Sequence, residues 1–475
     1  MREGSLITYP CEKPEDFIRK HIAELLKVGI GHSCFAVAFT HFPYYQADAE
    51  AISLLGLIAL EVIDRRVRIE GAVIENRLPW REEIASLPAT LDAVRSFANR
   101  LQAPWLNFSA PINLMPVYIP KPWGQEIWYT GIEARGQSLV TAQGYTTPLP
   151  WILELLPQTL ASAVCGRDPI LLKILDPSPD EVYGDLYFET HDQKQEVYIV
   201  TDIDERAWPA GKGAIRLGFC PLLRAQYPDD NAFKGAYLAA VNAYREVRRQ
   251  IDGLLDDKRR EHDLDPSGAL PAETLKRWHS QLPLALIAKE QRLRESMEEF
   301  TALRFLKSGD VVEVPCRIPH ALQHGVRTIE FQTPVYERKI LSFAQKVLTQ
   351  AEWDTEIALN DIILMSPELN PPQVLQQSDG ILVEQIVNFD DFEVRRVSLQ
   401  SGSSWIHASQ KSYAILLIIS GRILIDSGSN VRINADDSQN NQAFLLPAAD
   451  EDCVIDADGE TAVFLIALPR SHTEK

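Results

Sequence analysis

Apolar residues recur near every 3.6 positions in two stretches of the first hundred residues: Phe17, Ile18, Ile22, Leu25 and Leu26, then Leu87, Leu91, Val94, Phe97 and Leu101. That period predicts amphipathic helices. Ala51 to Ile63 is almost wholly apolar and reads as a buried helix, whereas His32 to Phe42, rich in small and aromatic residues, could be a strand. Residues 1–110 are therefore expected to form an α-rich N-terminal extension. From 111 to 205 short β-type runs alternate with Pro and Gly, the rhythm of a barrel or sandwich.

The pattern turns strongly helical from Tyr227 to Phe305, where Phe233, Tyr237, Val241, Tyr244 and Val247 form one stripe. A break at Asp265 to Pro271 divides this stretch, and helix resumes from Ala272. β character returns near residue 308, so the helices read as an insert (223–306) within a first barrel (111–222 and 307–350). A Pro-punctuated connector (351–379) precedes short runs at 381–384, 392–399, 413–419, 422–426, 443–446 and 462–468. With turns at Ser420-Gly421 and Asp426-Ser427-Gly428 these predict a second barrel over 380–475. That tail holds only His407 and His472 and no HxH pair, so the second barrel is expected to be structural and metal-free.

A chain of 475 residues exceeds one core. Its formal charge, 47 basic against 66 acidic side chains or −19, argues against general nucleic-acid affinity, because phosphate backbones demand a basic surface. A small anionic substrate remains compatible, since a few local Lys and Arg side chains suffice for one phosphate. No apolar run reaches the length of a membrane span, and MREGSLITYPCEKPEDF lacks a continuous apolar signal core; both lead to the expectation of a cytoplasmic protein. The six cysteines, at 11, 34, 165, 220, 316 and 453, show no metal-type spacing and read as reduced, mostly buried thiols. Walker, dinucleotide, HExxH and GxSxG patterns are absent. Trp123, Trp128 and Tyr129 could line a carbohydrate site or fill a barrel core.

The segment Lys307 to Arg338 carries the most chemistry. Ser308-Gly309-Asp310 opens an alternating strand, a Pro-bearing turn leads to Pro319-His320-Ala321, and a second strand ends in Tyr336-Glu337-Arg338. Two antiparallel strands would present His320 near their turn, where a small barrel can hold a metal ligand; a His that merely closes the turn is the alternative. His324, beside Gly325, reads as solvated.

Gly309-Asp310, Val314-Pro315, His320-Ala321-Leu322 and Ile329-Glu330-Phe331-Gln332 resemble, in order, the second metal-binding segment of the type I phosphomannose isomerases, a bicupin family. Lys121-Pro122-Trp123-Gly124 is similar to that family's early Trp-Gly signature, Pro169 to Asp180 to its first metal-binding strand, and Gln193-Lys194-Gln195-Glu196 to its Lys-x-Glu segment. The resemblance runs from about residue 117 to 345. It implies a mainly β protein of two cupin (jelly-roll) barrels with a helical insert in the first, the helical N-terminal extension lying outside the match. It also implies isomerisation of a sugar phosphate between aldose and ketose, which needs a Lewis acid, a general base and cationic groups.

In the resembled family a zinc ion is held by Gln, His, Glu and His. Glu196 and His320 match the later two ligands, Lys194 the active-site Lys, and Arg338 the Arg that serves the sugar phosphate, although its spacing from Glu330 is shorter than the family pattern. Residues two apart on a strand share a face, so Lys194 and Glu196 would both enter the barrel. The departure lies where Gln-x-His is expected: Ile174 to Pro179 offers neither, leaving Asp176 as the donor that could join Glu196 and His320, while His191, five residues before Glu196, could contribute from its loop but reads rather as an exposed loop residue. Two functions follow from these residues. One is an isomerase with an altered metal site or substrate, and the other is a non-catalytic cupin that binds a sugar phosphate as a sensor or partner protein.

Overall fold

The computed structural model describes residues 4–29, 31–161, 168–266, 268–409, 411–427, 432–436, 442–448 and 452–470. Cys165, Gly428 and His472 lie outside these. The chain divides into two compact units, one of residues 1–117, 128–172 and 372–475, the other of 118–127 and 173–371.

The first unit opens with a five-stranded sheet rather than a helical layer. Its order is Thr8–Pro10, Gly31–His41, Ile52–Ile63, Arg66–Glu75 and Leu106–Asn107, with helices Pro14–Val28, Leu78–Ile84 and Leu91–Arg100 completing the segment. The run expected to be a buried helix is the central strand. Ile52–Ile63 pairs along its length with Gly31–His41 on one side and Arg66–Glu75 on the other, and its residues from Leu54 to Leu60 are buried on both faces. An unbroken apolar run carries no period, so pairing on both edges decides it.

The same unit holds the C-terminal barrel. Strands Gln373–Ser378, Ile381–Asn388, Phe392–Leu399, Ala414–Ser420, Ala443–Leu446 and Ala462–Pro469 belong to a nine-stranded sheet. A four-stranded sheet of Ser404–His407, Arg422–Asp426, Arg432–Asp436 and Cys453–Ala457 supplies the second layer. Ala462, Phe464, Ile466 and Leu468 alternate into a shared core with Ile423, Ile425 and Ile455 from the second sheet. Ile112–Met115, Leu139–Ala142 and Tyr145–Pro148, read from sequence as part of the first barrel, extend this nine-stranded sheet.

The second unit is the other barrel. A six-stranded sheet runs Val311–Val314, Glu196–Ile203, Val326–Gln332, Leu171–Pro177, Gly124–Trp128, Val117–Lys121. A five-stranded sheet runs Thr301–Leu306, Gly213–Phe219, His320–Leu322, Phe188–Thr190, Lys339–Ser342. Tyr187, Tyr198, Ile215, Leu217, Val312 and Val326 pack between them. The outer face of the five-stranded sheet, through Phe188, Phe219, Ala321 and Leu341, meets the stripe Phe233, Tyr237, Val241, Tyr244 and Val247 of helix Asp230–Glu261. The Asp229 side chain caps that helix by accepting from Ala232 N, and Lys258, Arg259 and Arg260 close its C-terminal turn. Helices Ala272–His279 and Leu284–Glu298 complete the insert. No helix among the described residues is long and apolar enough to cross a membrane.

Candidate metal and active site

Phe188–Thr190 is a three-residue strand, and its alternation sets the site. Phe188 points to the helical layer, so Glu189 faces the barrel interior. His191 follows it, 2% exposed rather than in the open loop expected of it. The His320–Leu322 strand pairs beside it, with Glu189 opposite His320. His320 is thus not at the turn of a hairpin. Pro315, Arg317 in a left-handed conformation (φ 64°) and Pro319 carry the chain from Val311–Val314 into the opposite sheet, and Glu196–Ile203 pairs with both Val311–Val314 and Val326–Gln332.

Glu189, His191 and His320 each bring one ligand atom within 4.8 Å of the other two. Glu196, from the six-stranded sheet, reaches the same place. Its Oε2 is 3.0 Å from His320 Nε2, and its Oε1 is 3.4 Å from His191 Nε2 and 2.6 Å from Lys194 Nζ. Lys194 and Glu196 therefore share a face, as their spacing predicts.

Both imidazoles have their tautomer fixed by a backbone carbonyl. A carbonyl only accepts, so His191 Nδ1–H donates to Glu337 O (2.9 Å) and His320 Nδ1–H to Ile318 O (3.1 Å). With Nδ1 so engaged, each Nε2 is the ring nitrogen that faces the carboxylates. Neither makes a directional hydrogen bond, and Glu189 Oε2 is also buried without a partner. Burial, with Lys194 nearby, holds the His191 imidazole well below its usual range, hence neutral. Burial pushes the Glu196 carboxyl up, but Lys194, His191 and His320 outweigh this and keep it well below the carboxylate range, hence ionised.

Two imidazole nitrogens and two carboxylates converge here, with His191 Nε2, His320 Nε2 and Glu189 Oε2 buried without a directional hydrogen bond, a set that a divalent zinc-like cation would satisfy. Lone pairs do not hydrogen-bond one another, so a cation or protons must lie among them. The residues present thus fit a metal. Glu189 and His191, two apart at the end of Phe188–Thr190, bring a carboxylate and an imidazole together just ahead of Lys194 and Glu196.

Asp176 does not join the group. Its carboxylate, half-buried, accepts from Gln125 Nε2 at 2.7 Å and lies 3.6 Å from Arg327 Nε. Arg338 donates to Thr349 Oγ1 at 2.6 Å with its guanidinium 5.0 Å from the Tyr187 ring centre, one residue after the Glu337 carbonyl that anchors His191. Expected to be solvated, His324 instead binds Asp185 Oδ1 (2.7 Å) through Nδ1 and stacks on Trp208. Trp123, Trp128 and Tyr129 are buried core residues. The five described cysteines are half-buried.

A second ring of charge, unread in the sequence, lines the six-stranded sheet. Glu196, Tyr198 and Val200 lie opposite Gln332, Glu330 and Thr328. Tyr198 OH donates to Glu196 Oε2 (2.7 Å). Lys173 Nζ sits 3.3 Å from Glu330 Oε2 and 3.8 Å from Glu126 Oε1, whose other oxygen is 3.0 Å from Lys121 Nζ. Thr328 Oγ1, both Glu330 oxygens and Gln332 Oε1 are buried without hydrogen bonds. Each such group costs about 1–3 kcal/mol unless something meets it. Burial, reinforced by Glu196 and Glu126, pushes the Glu330 carboxyl well above its usual range despite Lys173 and Lys194. Lys173 stays firmly protonated because Glu126, Glu330, Glu196 and Glu189 outweigh its burial. Lys173 and Glu330 were visible as inward positions of apolar strands, but only the fold reveals that they meet.

No protein-family model matches the sequence, and no curated protein matches it. Solved structures match the fold. The mannose 6-phosphate isomerase of Bacillus subtilis aligns over 76% of this chain and 99% of its own, at 16% identity and a TM-score of 0.52. A zinc-bound mannose 6-phosphate isomerase aligns over 76% and 100% at 13% identity and 0.51. The apo form from Salmonella typhimurium aligns over 76% and 99% at 13% and 0.51. The chain thus has the fold of these isomerases, mainly β with two barrels.

Proposed function

We propose that this protein is a metal-dependent isomerase that interconverts an aldose phosphate and its ketose, with mannose 6-phosphate as the first substrate to try. The observation that carries this reading is the convergence of Glu189, His191, Glu196 and His320, with three ligand atoms buried and unmet. These four would hold zinc, which when bound supplies Lewis acidity toward the sugar oxygens.

The rest of the chemistry falls to the chain's own groups. A proton must leave the carbon beside the carbonyl and return to its neighbour, while a hydroxyl proton passes between the two oxygens. Glu330 is the candidate base: buried, with both oxygens free of directional hydrogen bonds and its pKa raised by that burial, the direction that strengthens a carboxylate as a base. Lys173, 3.3 Å away, would stabilise negative charge developing on the sugar oxygens, and Lys194 offers the same from the opposite wall. Arg338, on the segment that anchors His191, would receive the phosphate.

The reading as a non-catalytic sensor drew its support from a missing ligand pair, and Glu189 with His191 would supply such a pair. Zinc-loaded protein supplied with mannose 6-phosphate should form fructose 6-phosphate in a coupled assay, and EDTA should abolish it. Metal-loaded protein that turns over neither this sugar phosphate nor other aldose phosphates would leave the sensor reading in its place.

A further inference from the structure

The side chains of the barrel site do not all stand on strands. Glu189, Glu196 and His320 do, on Phe188–Thr190, Glu196–Ile203 and His320–Leu322, so the sheets fix their backbones. His191 and Lys194 stand on the short loop between Phe188–Thr190 and Glu196–Ile203. Something other than a β-ladder must hold them, because a loop's backbone donors need partners of their own.

That support comes from the chain segment 333–339, which leads from Val326–Gln332 into Lys339–Ser342. Gln195 N donates to Thr333 Oγ1 (3.1 Å), Thr333 N donates to Gln195 O (3.0 Å), and Lys339 Nζ lies 2.5 Å from Asp192 Oδ2. Between these contacts Glu337 makes three. Its carbonyl accepts from His191 Nδ1 (2.9 Å), and its Oε1 accepts from Lys194 N (3.0 Å) and from Gln193 N.

Glu337 thus touches both loop-borne members of the site, one through its imidazole and the other through its backbone. A carboxylate oxygen that takes two consecutive main-chain N–H groups makes charge-assisted hydrogen bonds, stronger than those of a neutral acceptor. Lys194, so placed, reaches Glu196 Oε1 at 2.6 Å. The carbonyl and the carboxylate belong to one residue, so releasing the carboxylate also loosens the carbonyl that orients His191.

We propose, resting on the reading of Glu189, His191, Glu196 and His320 as a zinc site, that Glu337 is its positioning residue: it clamps the 191–195 loop so that His191 and Lys194 meet the strand-borne groups.

Zinc affinity of the full chain, measured by competition with a chromophoric chelator, tests this. Glu337→Ala should weaken zinc binding about 10–100-fold, the range seen when a partner of a metal ligand is removed. Glu337→Gln keeps an oxygen for both N–H groups and should recover most of that loss. Cobalt bound in place of zinc should show a changed visible absorption in Glu337→Ala and the wild-type band in Glu337→Gln. Should Glu337→Ala fail to fold, Glu337→Asp, which keeps the charge but withdraws the oxygen by one methylene, should lose affinity that Glu337→Gln retains. Lower stability with unchanged zinc affinity and an unchanged cobalt band overturns the proposal, since Glu337 would then serve the fold alone. Equal loss in the Ala and Gln variants also overturns it, because the effect then follows the charge and not the acceptor. Wild type that binds no zinc removes the zinc-site reading and this proposal with it, an outcome distinct from zinc binding that Glu337→Ala leaves intact.

Discussion

Replacing His191 with alanine removes one of four converging donors and leaves the backbone contact at Glu337 without its imidazole. Zinc that binds only the folded chain stabilises it by RT ln(1 + [L]/Kd), about 2.7 kcal/mol at a hundred times Kd. The barrel-bearing unit spans roughly 200 residues, a size at which each kcal/mol moves the melting temperature by about 2–4 °C, so wild type should gain about 5–11 °C. Even a partner of a metal ligand changes affinity by roughly 10–100-fold when removed, so losing a ligand should cost about 100-fold or more. At the same zinc concentration His191→Ala would then gain only about 0.4 kcal/mol, or ~1 °C. Calorimetric melts of both proteins, each with zinc and with EDTA, compare the two differences, and any effect of the cavity left by the imidazole cancels. Equal zinc-induced shifts in the two proteins, or no shift in wild type, would refute the reasoning.

Three further outcomes follow. Glu330 has a raised folded-state pKa, so the folded chain holds a proton that the unfolded chain releases above about pH 4.3, and stability falls as pH rises from there through the folded pKa. Glu330→Gln should therefore melt higher than wild type at pH 7–8, with the gap closing near pH 4, while isomerase activity is lost; a gap that widens on acidification contradicts this. Asp176→Asn should leave zinc content unchanged by elemental analysis, because Asp176 answers to Gln125 and Arg327. At Gly184 a Cβ would lie 1.9 Å from the Ser178 carbonyl oxygen and 2.7 Å from His324 Cβ, so Gly184→Ala should cost about 1–3 kcal/mol in denaturant melts.

How much of this was legible in the chain depended on what each signal encodes. The stripe from Phe233 to Val247 states its own period, and helix Asp230–Glu261 follows it. Alternation likewise put Lys194 and Glu196 on one face. Ile52–Ile63 has no period, and only its two neighbouring strands make it a strand. The expected hairpin around His320 failed because pairing is non-local: Glu196–Ile203, more than a hundred residues earlier, lies between the two segments. His191 was misjudged because a polar Glu-Thr-His-Asp run reads as loop, although Glu189 and His191 already had the two-residue spacing of inward donors. Lys173 and Glu330 could not be paired from sequence, since their 3.3 Å contact is a product of strand order.

The central claim is that two imidazoles and two carboxylates from both sheets of one barrel hold a single cation. Anomalous diffraction at the zinc edge from zinc-soaked crystals tests it most directly. A peak about 2.0–2.2 Å from His191 Nε2, His320 Nε2 and oxygens of Glu189 and Glu196 is the predicted result. An empty barrel in crystals that bind zinc elsewhere would contradict it.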